Sequence, residues 1–229
     1  MRKLLILLVV QLVAIPPILQ KHLVSVPTTT QHPSDTTPSR IFIRVFKYEK
    51  TLEVWGTDTG TYTLYKSYKI CILSGGVGPK RREGDLQVPE GFYRIIEYNP
   101  HSEYHRSLKL DYPNSSDRIL SLYQNLGGMI YIHGGCASVG CIAIGNKNIE
   151  ELFNLALAAR SKGQTDIPVH IFPINYGIDT SVDYLDTEIK KKKSIVNFED
   201  NIKEGYYRFD TTKMVPKVDI TPTGRYIFM

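Results

Sequence analysis

An imidazole, two thiols and a hydroxyl fall within the stretch YIHGGCASVGC, Tyr131 to Cys141. His133 closes the apolar run GGMIYIHG, and the two glycines behind it let the chain turn sharply. Cys141 follows Gly140 and precedes the apolar piece IAI. A thiol becomes a strong nucleophile once a base takes its proton, and a nearby imidazole can do that. A cysteine on a glycine turn can also leave backbone N–H groups beside its sulfur free to hold an oxyanion. The pattern suits acyl transfer, with Cys141 as nucleophile and His133 as general base and acid. Two other chemistries share these residues. Cys136 and Cys141 can close a small disulfide loop, which leaves a non-catalytic secreted binding domain. A zinc site on His133, Cys136 and Cys141 lacks a fourth ligand, because no second Cys/His pair lies at ligand spacing. No metal is expected.

The elements that must position this stretch are mostly strands. RIFIRVF, TLEVWG, TYTLYKSYKICIL, GFYRIIEY and PVHIFPI are apolar runs or alternate with the period of two that strands show. One helix is predicted over NKNIEELFNLALAARSKG, where Ile149, Leu152, Phe153, Ala156 and Leu157 recur at helical spacing. Asn146 or Asn148 can cap its start, and Gly163 can close it. The fold class is therefore mostly β with one or two helices. HSEYHRSLKLDYPNSSDR reads as a long polar connection, with Tyr104, His105 and Arg118 as a candidate substrate wall. Beyond Asn175 the chain is polar and tyrosine-rich, with no clear pattern.

At 229 residues and 42% hydrophobic composition the chain suits one sizeable domain. Residues 1–23 carry Arg2 and Lys3, then an apolar run broken by Pro16 and Pro17, the pattern of a secretory signal peptide or N-terminal anchor. Residues 24–40 read as a flexible Thr/Pro/Ser-rich tether, residues 41–175 as the catalytic domain, and residues 176–229 as a C-terminal extension packing on it. Export places the chain where disulfides form. Three cysteines leave at least one thiol unpaired. Cys71, inside KICIL, reads as a buried small hydrophobe. The net charge of +5 is scattered apart from Lys190 to Lys193, a run without aromatic interleaving, so no nucleic-acid partner is expected.

IHG…SVGC resembles the His…Ser-x-Gly-Cys signature of the L,D-transpeptidase catalytic domain, the YkuD-type fold. REGDLQVPEGFYRI is similar to a second segment of that family, on Gly84, Asp85, Pro89, Gly91, Phe92 and Tyr93. The 99–118 stretch and the tail EGYYRFDTTKMVPK…GRYIF are similar to the YafK-like murein branch. The resemblance implies a β-sandwich-like domain with a helix after the nucleophile. It implies Cys141 as nucleophile, His133 as base, and Ser138, Gly140 and Gly134 as supporting or oxyanion residues. The implied substrate is the peptidoglycan stem peptide, with an amine or water as acceptor and no cofactor. Transfer to an amine would remodel the wall, and water would trim a stem or release a wall-attached protein. The implied location is periplasmic or wall-facing, with attachment to the inner membrane through the N-terminus left open.

Overall fold

The computed structural model describes residues 37–192 and 195–229. The expected signal or anchor, and the tether up to residue 36, lie outside the described residues. Ten strands and four helices follow in order: β1 Arg40–Phe46, β2 Thr51–Thr57, β3 Thr63–Lys69, β4 Gly91–Ser102, β5 His105–Leu110, α1 Ser115–Leu120, β6 Tyr131–His133, β7 Ile142–Ala143, α2 Asn146–Ser161, β8 Pro168–Phe172, α3 Asp179–Lys191, α4 Val196–Thr212, β9 Val218–Ile220 and β10 Tyr226–Phe228. The mostly-β reading holds. Two of the helices lie in the tail, and the 101–118 stretch is no plain connection, because it contains β5 and the start of α1.

Eight strands form one sheet in the order β3-β2-β1-β8-β4-β5-β6-β7. The long β4 serves both halves: Gly91–Arg94 pairs with β8, and Ile95 to Ser102 pairs with β5 through two register shifts. Such bulges bend a strand. The main core takes Ile43 and Val45 from β1, Val169 and Ile171 from β8, Leu108 from β5 and Ile132 from β6. α2 covers it with Ile149, Leu152, Phe153, Ala156 and Ala159. Leu157, expected on that stripe, is 40% exposed, and Ala159 takes the inward place.

β1 is buried on both faces. Its odd positions fill the main core, while Phe42 and Phe46 point at α4, against Phe209 at 4.7 Å and Tyr206 at 6.1 Å. Arg44, between them, is 3% exposed. Its guanidinium pairs with Glu53 at 2.9 Å and lies over the Trp55 and Phe209 rings. The hairpin β9–β10 is tied back by Asn201, which exchanges two hydrogen bonds with the Tyr226 backbone.

A second buried polar cluster joins α4 to the loop after β3. Lys47 and Glu90 pair at 2.8 Å, and Lys47 Nζ also donates to the carbonyls of Gly78 and Val88. Glu199 of α4 is 1% exposed. Glu90 Oε2 and Glu199 Oε1 are both buried and lack a donor. Burial, and then the facing Glu90, hold the Glu199 carboxyl well above the usual carboxylate range. A proton on Glu199 supplies the donor that both oxygens need. A carboxyl raised in the folded state stabilises fully below its unfolded value, about 4.3, and loses that contribution as pH climbs toward the folded one. Glu199→Gln keeps a donor without needing a proton. It is expected to be more stable than wild type at pH 8 by about 1 kcal/mol or more, roughly 2–4 °C in Tm. Its advantage should vanish near pH 4. Thermal unfolding across that range checks this, and parallel curves for the two proteins would rule the shared proton out.

The two ends of the sheet meet. Ile72, just past β3, forms an antiparallel bridge with Ala143 of β7, and the Cys71 N–H donates to the Ala143 carbonyl at 2.8 Å. Beside this seam Cys71 and Cys136 form a disulfide with Cα atoms 5.5 Å apart. This corrects two expectations. Cys71 is exposed, because it lies past the end of β3, where Ile70 turns inward and both Cys71 and Ile72 face out. Cys136 bonds Cys71, so the Cys136–Cys141 bridge is not formed and Cys141 is a free thiol. A cross-link spanning 65 residues stabilises a fold by roughly 4 kcal/mol on chain-entropy grounds.

Candidate active site

β6 and β7 run parallel, with Ile132 opposite Ile142 and His133 opposite Ala143. Parallel neighbours ordinarily need a crossover of about a dozen residues. Here residues 134–141 suffice, because the strands are very short and Gly135 (φ 63°) and Gly140 (φ 135°) take left-handed backbone that side chains resist. Ile132 and Ile142 both point into the core at 0% exposure. Alternation then turns His133 and Cys141 to the opposite face, as diagonal neighbours.

Both line one cavity of about 360 Å³, together with Tyr104, Ser107, Met129 and Tyr131. His133 is 3% exposed, and its Nδ1 lies 2.6 Å from the Gly134 carbonyl. A carbonyl only accepts, so Nδ1 carries the proton and Nε2 keeps its lone pair. The Tyr104 ring covers the imidazole at 4.7 Å. Burial lowers the His133 pKa from the ordinary imidazole value, against the Gly134 hydrogen bond. Burial likewise pushes the Cys141 thiol up, opposed by the Tyr131 backbone N–H and by the charge of Lys80. The thiol donates to the Met129 carbonyl at 3.4 Å. At neutral pH the resting site therefore holds a neutral thiol beside a neutral imidazole.

The turns are locked by short polar contacts. Ser138 Oγ donates to the Cys141 carbonyl at 2.6 Å and accepts from the Gly140 N–H at 3.2 Å. The Gly140 N–H, expected as an oxyanion donor, is thus engaged with Ser138 in the resting loop. The Gly134 N–H, likewise, donates to the Arg106 carbonyl. A Cβ on Gly134 would lie 2.7 Å from Asn146 Oδ1 and would run into the Tyr104 carbonyl, so only glycine fits. Asn146 does not cap α2. Its Oδ1 accepts from the Gly135 N–H at 2.7 Å, and Gly145 takes the cap position.

The other predicted residues divide. Tyr104 joins the site. His105 (φ 75°) turns away to Glu150 at 2.7 Å, and Arg106 meets the same carboxylate at 3.0 Å, which pins the β4–β5 hairpin to α2. Arg118 sits on α1 and lines a different cavity with Arg94 and Lys217. Sequence reasoning missed Met129 and Tyr131, although the alternation Met129, Tyr131, His133 was there to place all three on one face.

Residues 40–171 match the model of the YkuD L,D-transpeptidase catalytic domain, a span from the start of β1 into β8 that includes His133 and Cys141. The chain belongs to this family. It is 34% identical over 205 residues to "Putative L,D-transpeptidase YafK" of Escherichia coli (strain K12), covering 88% of this chain and 78% of that protein. An alignment of that length reaches past the family match into the tail that holds α3 and α4. Among solved structures, the helical cell shape determining protein Pgp2 from Campylobacter jejuni matches at 21% identity and a TM-score of 0.47, over 82% of this chain and 77% of that one. Bd1075 of Bdellovibrio bacteriovorus matches at 18% identity and a TM-score of 0.44, over 82% and 79%. No helix among the described residues is long and apolar enough to cross a membrane.

Proposed function

We propose that the cavity at Cys141 performs cysteine-dependent acyl transfer on peptidoglycan stem peptides, as an L,D-transpeptidase. One observation carries this reading: a free thiol and an imidazole with an unprotonated Nε2 line the same cavity. The stem peptide presents the carbonyl at the L-centre of its diamino acid. As Cys141 Sγ adds to that carbon, His133 Nε2 takes the thiol proton. The oxyanion that forms is held by backbone N–H groups of the turn that carries Cys141. The C–N bond then breaks, His133 returns its proton to the leaving amine, and a thioester remains. An acceptor amine adds to the thioester while His133 removes its proton, and collapse releases the new amide and the thiol. Water in place of the amine gives a shortened stem.

The chain works on the wall side of the membrane. The charged and apolar N-terminal run supports this, as does a disulfide of the kind that persists in oxidising compartments. The test incubates the chain with a purified disaccharide-tetrapeptide, with and without a second muropeptide as amine acceptor. Intact-mass spectrometry should show acyl mass on Cys141. The products separate a cross-link from a trimmed stem. An unchanged protein mass together with unchanged muropeptide would refute the reading.

A further inference from the structure

The nucleophile's strand is the least supported in the sheet. β7 has two residues, two register pairs to β6 and one bridge to Ile72. Cys141 immediately precedes it. The loop that leads to Cys141 departs from His133, and its outermost part, Cys136 to Val139, has little burial of its own. Cys136 lies in that part, and its sulfur is bonded to Cys71, the residue whose N–H holds the Ala143 carbonyl across the seam. The cross-link therefore fixes the loop at the one place where the sheet closes by a single bridge. We propose that the Cys71–Cys136 disulfide is a positioning link for the nucleophile: oxidised, it holds residues 134–140 so that Cys141 faces His133, and reduction by a dithiol loosens that approach and slows acylation while Cys141 itself stays intact.

Both half-cystines are exposed, so a dithiol can reach them. A thiolate of the reductant attacks one sulfur, the S–S bond breaks, and a mixed disulfide forms. The reductant's second thiol displaces the protein sulfur. Two electrons and two protons pass to Cys71 and Cys136, and the dithiol leaves as a disulfide. The Ser138 hydroxyl bridge then remains as the loop's internal tie.

The experiment compares three forms of the full chain: oxidised wild type, wild type reduced with dithiothreitol and desalted without oxygen, and Cys71→Ser/Cys136→Ser. Circular dichroism at the assay temperature identifies the folded forms. Acylation by the disaccharide-tetrapeptide, which rests on the proposed function, should show kcat lowered at least about tenfold with KM unchanged in both altered forms. Alkylation of Cys141 by iodoacetamide, read by peptide mapping, needs no substrate. It should become at least about threefold faster as the loop loosens and the thiol is less shielded. A change in both readouts supports the link, and equality in either overturns it. Should oxidised wild type not acylate at all, the proposed function fails and alkylation alone decides, a faster rate supporting the link and an equal rate overturning it. If both altered forms unfold, the link is structural only and the proposal falls.

Discussion

Cys141→Ala is expected to abolish thioester formation and to lower turnover on muropeptides by ~10⁴-fold or more, since loss of a covalent nucleophile leaves only binding and oxyanion contacts. The side chain is half-buried, and its one hydrogen bond is a long one to the Met129 carbonyl. The variant should therefore fold as wild type does, with Tm changed by no more than a few degrees. Cys141→Ser keeps the geometry but offers a hydroxyl, which the single imidazole deprotonates far less readily than a thiol. It should be nearly as inactive. Acyl mass found on Cys141→Ala would place the chemistry on another residue.

His133→Gln is expected to slow acylation by about 10²- to 10⁴-fold, the usual contribution of a positioned general base. The amide can still donate to the Gly134 carbonyl, so the loss measures proton transfer more than packing. The pH profile gives the sign. Burial holds the His133 pKa below the ordinary imidazole value, so the basic form persists into mildly acidic solution. In wild type, kcat/KM should stay level on acidification through about 6.5 and fall only below that. The glutamine variant should lack that acid limb. On the alkaline side the raised thiol means that activity depends on the neutral pair through neutral pH, and that alkylation of Cys141 accelerates only above the ordinary thiol range. An acid limb lying above 6.5 in wild type would contradict this electrostatic picture.

The reactive stretch was legible because its chemistry is local: a strand end, two glycines and a cysteine turn are written in consecutive residues. The strands were legible from alternation, and α2 from its apolar spacing. The disulfide was not, since Cys71 and Cys136 become neighbours only when the sheet curls and its ends touch. Asn146 misled for a related reason: a residue suited to capping its own helix instead serves the turn behind His133, because that turn is packed against it. The tail hid its helices. Phe198, Ile202, Tyr206 and Phe209 do recur at helical spacing, but the residues between them are polar, and the buried stripe makes sense only against the Phe42 and Phe46 face of β1. Arg118 shares a stretch with Tyr104 but not a place, because β5 carries the chain away between them.

The connection from His133 to Cys141 joins parallel strands whose side chains alternate with a period of two. The register of β7 against β6 is therefore a matter of parity. Insertion of one residue after Cys136 that shifted β7 by one step would aim the sulfur at the hydrophobic interior and push an isoleucine into the cavity. A change of two would restore the facing. The rim of this cleft can be decorated freely, whereas the spacer beneath it tolerates only changes that leave the facing of β7 intact.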